Sequence, residues 1–140
     1  MKTINDFNFN DRIALIRVDF NVPLNAQFQV TDANRIEAAK PTILKVIEEG
    51  GIAVLMSHLG RPKGVTNTDF SLKHIVSKVE EVIGLPVTFV DDCVGADVKR
   101  ALSNAKAGSI LLLENLRFYP EEEKGDIAFA EELASLGDIY

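Results

Sequence analysis

Apolar residues fall along this chain in two alternating rhythms. Short, nearly unbroken runs occur at Ile13-Ala14-Leu15-Ile16-Arg17-Val18, Ile52-Ala53-Val54-Leu55-Met56, Val87-Thr88-Phe89-Val90 and Ile110-Leu111-Leu112-Leu113. Runs of this kind fit strands buried on both faces. Between them the apolar positions follow a helical stripe. Asn34 with Glu37 forms a capping box, and Ile36, Ala39, Ile43 and Ile47 follow on one face until Gly50-Gly51 ends the helix. Pro41 interrupts that stripe and predicts a kink or restart. Ser71 caps a second helix with Leu72, Ile75, Val76, Val79 and Ile83 inward and Gly84 at its end. A third helix runs roughly from Ala96 to Asn104, with Asp91-Asp92 read as its start. A last helix starts near Asp126, with Phe129, Leu133 and Leu136 inside, and Gly137 closes it before Ile139-Tyr140 open a fifth strand.

Strands alternating with helices predict a parallel sheet covered on both faces. The expected fold class is α/β: a three-layer, doubly wound, Rossmann-like sandwich. Ending two residues into a buried strand would leave an apolar edge unpaired. The expectation is therefore a sheet incomplete at its C-terminal end, a piece of something longer, prone to self-association.

Composition narrows the picture. The 140 residues are 46% apolar, enough for one domain with a real core. No apolar run spans a bilayer, and the N-terminus lacks the apolar core of a signal peptide. The single cysteine, Cys93, forms no internal disulfide, which favours the cytoplasm. A net charge of −6 argues against nucleic acid as a partner. There is no P-loop, no Gly-rich dinucleotide turn, no zinc-ligand spacing and no Ser-His-Asp arrangement, so neither a metal nor a nucleotide site is expected here.

In a parallel sheet the segments just past the strands gather at one edge, where ligands bind. Three polar clusters fall there: Arg17 to Pro23, Ser57 to Pro62 and Glu114 to Phe118. Arg35, in the first turn of the first helix, joins them. Arg35, His58, Arg61 and Arg117 can converge, and arginine forks match phosphate or carboxylate oxygens. Asp19 and Asn21 would instead take a hydroxyl. The ligand expected is small and phosphorylated, with at least one hydroxyl and optionally a carboxylate. Taken singly, each residue has an ordinary structural reading: a surface ion pair, a turn, a hydrogen-bonded histidine. The functional reading rests on three clusters sharing one edge.

Those clusters resemble signature segments of the phosphoglycerate kinase family. Arg17-Val18-Asp19-Phe20-Asn21-Val22-Pro23-Leu24, Met56-Ser57-His58-Leu59-Gly60-Arg61-Pro62 and Leu113-Glu114-Asn115-Leu116-Arg117-Phe118 carry the resemblance, with Asp92-Cys93-Val94-Gly95 and Leu136-Gly137-Asp138-Ile139-Tyr140. It implies a glycolytic kinase that moves a phosphoryl group between 1,3-bisphosphoglycerate with ADP and 3-phosphoglycerate with ATP. Residues 1–140 would be the N-terminal, phosphoglycerate-binding domain of a monomeric two-domain enzyme. Mg-ATP or Mg-ADP would be held by a C-terminal domain absent here. The resemblance also implies substrate roles for Asp19, Phe20, Asn21, Arg35, His58, Leu59, Gly60, Arg61 and Arg117. Asp19 and Asn21 would meet the hydroxyl and carboxyl end, and His58, Arg61 and Arg117 the 3-phosphate. Phe20, Leu59 and Gly60 would act through their backbone, Arg35 would be catalytic, and Arg17 would join the basic patch. The turn at Asn25-Ala26-Gln27 lacks an expected glycine. Alone, the 140 residues are expected to be inactive. The competing reading is a non-enzymatic module that binds a phosphorylated ligand.

Overall fold

The computed structural model of the protein describes residues 12–27, 29–59, 71–92, 95–116, 127 and 131. Four of the predicted strands appear within them as β1 (Ile13–Arg17), β2 (Ile52–Met56), β3 (Thr88–Val90) and β4 (Ile110–Leu113). All pairings are parallel, in the order β1-β2-β4-β3. Arg17 lies opposite Met56, Leu55 opposite Leu112, and Val90 opposite Leu113. The register therefore brings the four C-terminal strand ends level. The predicted last helix and fifth strand, 126–140, lie outside the described residues apart from positions 127 and 131.

Three helices connect the strands. α1 spans Asn34–Glu48, α2 spans Val76–Ile83 after a 3-10 turn at Leu72–Ile75, and α3 spans Ala96–Asn104. Their faces follow from right-handed crossovers. The connections β1 to β2 and β2 to β3 advance across the sheet, so α1 and α2 share a face. The connection β3 to β4 steps back, so α3 covers the other. The core divides accordingly. Ile36, Ile43, Leu72, Ile75, Val79 and Ile83 pack with Ala14, Ala53, Leu55 and Leu112 on one side. Val98 packs with Leu15, Val54, Met56, Leu111 and Leu113 on the other. Because both sheet faces are covered, β4 is buried at every residue, which explains its uninterrupted apolar run.

Three local expectations are corrected. The helix α1 starts one residue earlier than a capping box at Asn34 requires. Ala33 occupies the cap position without a side-chain cap, and Asp32 Oδ1 accepts the Asn34 N–H at 2.9 Å instead. Asp32 competes for the same backbone donor from two residues upstream and wins it. Asp91-Asp92 do not start α3 either. Gly95 is its cap residue, and the Asp92 carbonyl accepts the Glu114 N–H at 3.1 Å. The helix does not restart at Pro41: α1 is one continuous element through it. A mid-helix proline costs about 3 kcal/mol. Burial of Ile36, Ile43 and Val46 on the same helix outweighs it, at about 1.5–3 kcal/mol each.

The ends of α1 and α2 behave as their sequences indicate. Gly50, at φ 81°, follows α1; its N–H reaches the Ile47 carbonyl while Gly51 N–H reaches the Val46 carbonyl, the paired bonds of a glycine-terminated helix. Ser71 Oγ accepts the Lys73 N–H at the start of the 3-10 turn, and Gly84 ends α2.

Candidate functional site

The polar edge is assembled at the level C-terminal ends of β1, β2 and β4. Just past β1, Asp19 and Asn21 are separated by Phe20, whose side chain is wholly buried in the core. Phe20 thus anchors the loop from beneath and leaves its two polar neighbours outside. Arg35 reaches them from the first turn of α1. Its Nη1 donates to the Asn21 carbonyl at 2.6 Å and to Asp19 Oδ1 at 3.3 Å. Asn21 N–H donates to the same Asp19 oxygen at 3.3 Å. The side chains of Arg35 and Asp19 remain 53% and 63% exposed, so this ion pair is open to competition by a ligand.

Arg35 forms a shared wall between two open hollows. One, of about 540 Å³, is lined by Asn21, Val22, Pro23, Asp32, Asn34 and Arg35. The other, of about 330 Å³, is lined partly by Arg17, Asp19 and Arg35 with the α1 residues Ala38, Ala39 and Thr42. Arg17 is exposed at the end of β1.

The second cluster begins past β2. His58 is half-buried and Leu59 is buried in the core. Gly60, Arg61 and Arg117 lie outside the described residues. The structure therefore brings Asp19, Asn21 and Arg35 into contact and sets His58 and Leu59 on the neighbouring strand end. Among the described residues no three His, Cys, Asp or Glu side chains gather that could hold a metal ion.

Beneath these residues lies a layer of buried polar side chains, of which the sequence gives a role only to Ser71, as a helix cap. Ser57 Oγ accepts the Phe20 N–H at 2.9 Å and donates to the His58 carbonyl at 3.2 Å, so it joins the β1 and β2 loops. Asn115 Nδ2 donates to the Leu59 carbonyl at 2.8 Å. Leu116 N–H reaches the Ser57 carbonyl at 3.0 Å. Glu114 accepts from Ser71 Oγ at 2.6 Å and from the Leu72 N–H at 2.9 Å. Buried polar groups are tolerated when hydrogen-bonded, and Ser57, Ser71, Glu114 and Asn115 all are. The available signal was their position: polar residues directly after apolar strands, in segments that close packing would bury.

The turn without a glycine has its own solution. Leu24 and Val30 form an antiparallel bridge, and Asn25 Oδ1 accepts the N–H groups of Gln27 and Gln29 at 2.9 and 3.0 Å. The asparagine side chain supplies turn hydrogen bonds in place of a glycine backbone.

Comparison with known proteins agrees with this architecture. A family model described as phosphoglycerate kinase matches residues 4–140. A phosphoglycerate kinase of Chlorobaculum tepidum is 50% identical over 139 residues, which is 99% of this chain and 35% of that protein. One from Porphyromonas gingivalis is 55% identical over 121 residues, 86% of this chain and 29% of that protein. Among solved structures, the phosphoglycerate kinase of Pyrococcus horikoshii superposes with a TM-score of 0.85 at 27% identity, covering 99% of this chain and 35% of that one. That of Coxiella burnetii gives 0.82 at 30% identity, covering 96% of this chain and 33% of that one. The chain thus spans about a third of the length of the relatives it matches. Sequence and fold agree, and the chain belongs to the phosphoglycerate kinase family.

Proposed function

We propose that these residues form the phosphoglycerate-binding half of a kinase that transfers a phosphoryl group between 1,3-bisphosphoglycerate with ADP and 3-phosphoglycerate with ATP. The observation that carries this reading is Arg35: a guanidinium at the strand-end edge, bordering two open hollows and already engaged with a carboxylate and a carbonyl. An incoming carboxylate or phosphoryl oxygen can take the place of Asp19 on that fork. Asp19, released, accepts the substrate hydroxyl. Asn21 and the backbone around Phe20 hold the carboxyl end, and His58, Leu59, Gly60, Arg61 and Arg117 hold the distal phosphate, with Arg17 at its margin.

Phosphoryl transfer depends on alignment and on neutralising charge in the transition state. Arg35 is the residue of this half positioned to do that. Mg-nucleotide, when bound, supplies the phosphoryl donor or acceptor and neutralises its charge. We assign it to a nucleotide-binding half beyond the third of the relatives that this chain matches. The working protein would be a cytoplasmic monomer in glycolysis, and closure of its halves would keep water from the acyl phosphate. No helix among the described residues is long and apolar enough to cross a membrane.

Calorimetric titration of the 140-residue chain with 3-phosphoglycerate should give weak, saturable binding that disappears in Arg61→Ala. A coupled ATP assay on the same sample should detect no turnover. Absence of binding, or turnover near that of a two-lobed enzyme, would overturn the proposal.

A further inference from the structure

We infer that Glu114 is a positioning residue for the substrate edge: it clamps one end of the connection between β2 and α2 while its neighbour Asn115 clamps the other. Glu114 is buried, at 7% exposure. Its Oε1 accepts the N–H groups of Leu72 and Asn115 at 2.9 and 2.8 Å, and its Oε2 accepts the Ser71 hydroxyl at 2.6 Å. Ser71 and Leu72 begin the 3-10 turn that leads into α2. Asn115 Nδ2 holds the Leu59 carbonyl at 2.8 Å, at the point where the chain leaves β2. Two consecutive residues at the end of β4 therefore fix both described ends of one connection, from 42 and 56 positions away in sequence.

The choice of glutamate is informative. Ser71 already accepts the Lys73 N–H, so the turn has a local cap of its own. Burying a carboxylate is costly, and three donors are needed to satisfy it here. A group of that kind does more than end a helix. It fixes where the segment after β2 begins and ends relative to β4. By sequence that segment carries Gly60 and Arg61, and Leu59 follows the half-buried His58. Glu114 itself points into the protein, so it acts through these residues and does not touch substrate.

The ligand arm of the test rests on the proposed phosphoglycerate reading; the exchange arm does not. In the ligand-free protein, Glu114→Ala should raise hydrogen exchange at least tenfold at Leu72 and across 58–59, with β1 (Ile13–Arg17) and α3 unchanged. Its affinity for 3-phosphoglycerate should fall about tenfold. Glu114→Gln should restore both, because its amide oxygen can accept the Leu72 and Asn115 N–H groups and its NH₂ can donate to Ser71 Oγ. Should Glu114→Ala not fold, Ser71→Ala, which removes one of the three bonds together with the cap on Lys73 N–H, should give the same pattern at about threefold across 58–59. Unchanged exchange at these sites, loss of protection spread evenly over the sheet, or failure of Glu114→Gln to restore it would overturn the inference. The expected exchange pattern without any 3-phosphoglycerate binding by the wild-type protein would support the clamp and overturn the phosphoglycerate reading instead.

Discussion

The two edges of the sheet are built from different materials. At the edge where strands begin, turns are closed mainly by backbone. Gly108 N–H bonds the Gly51 carbonyl at 2.8 Å, Ile52 N–H the Arg12 carbonyl at 2.9 Å, and Ala53 N–H the Ser109 carbonyl at 3.0 Å. At the edge where strands end, side chains add to backbone bonds such as Leu116 N–H to the Ser57 carbonyl: Ser57, Asn115 and Glu114 beneath, Asp19 and Arg35 above. Backbone closure needs little beyond a glycine or a small polar residue. Side-chain closure presents varied chemistry at fixed positions, at the cost of burying polar groups that must all be satisfied. On the proposed function, the first edge would serve stability and the second the site.

Substitutions at the two edges should separate accordingly. The largest effect is expected from Arg35→Ala, which removes the fork between the two hollows. Affinity for 3-phosphoglycerate, read by calorimetry, should fall by about 100-fold, or about 2.7 kcal/mol, with little change in thermal stability, since its ion pair is largely exposed. Gly108→Ala should do the reverse. Gly108 sits at φ 83° with nothing near the position a Cβ would take, so the cost is backbone strain alone. Stability should drop by about 1–2 kcal/mol in chemical denaturation, with affinity unchanged. The smallest effect is expected from Ser109→Ala, whose hydroxyl accepts the Lys106 N–H at 3.1 Å on a partly exposed turn. A loss of about 0.5 kcal/mol in the same denaturation series would match. A large affinity change in either of the last two variants would break the division between edges.

The sequence made most of the frame legible because the frame is local. Apolar runs located β2 and β4 to the residue, and α3 spans the residues read for it. The failures came where two local signals competed. Asp32 took the N–H that a capping box at Asn34 would have used differently, and the packing of α1 carried it through Pro41. At the site, Asp19, Asn21 and Arg35 could be grouped in advance because strand direction alone brings them to one edge. The clamp could not, since Glu114 and Ser71 are 43 residues apart and nothing near either one names the other. Ser57 was equally silent, with its partner Phe20 37 positions away. Long-range buried polar pairs leave no periodic trace, whereas strands and helices do.

On the proposed function, ligand chemistry belongs to the strand-end edge and not to the opposite one. A two-dimensional amide spectrum followed through a titration with 3-phosphoglycerate tests this most directly. Shifts should concentrate at Asp19 to Asn21, Asn34-Arg35 and His58-Leu59, with Gly51, Gly108 and Ser109 unmoved. Shifts centred on the glycine turns, or no residue-specific shifts at saturating ligand, would contradict it.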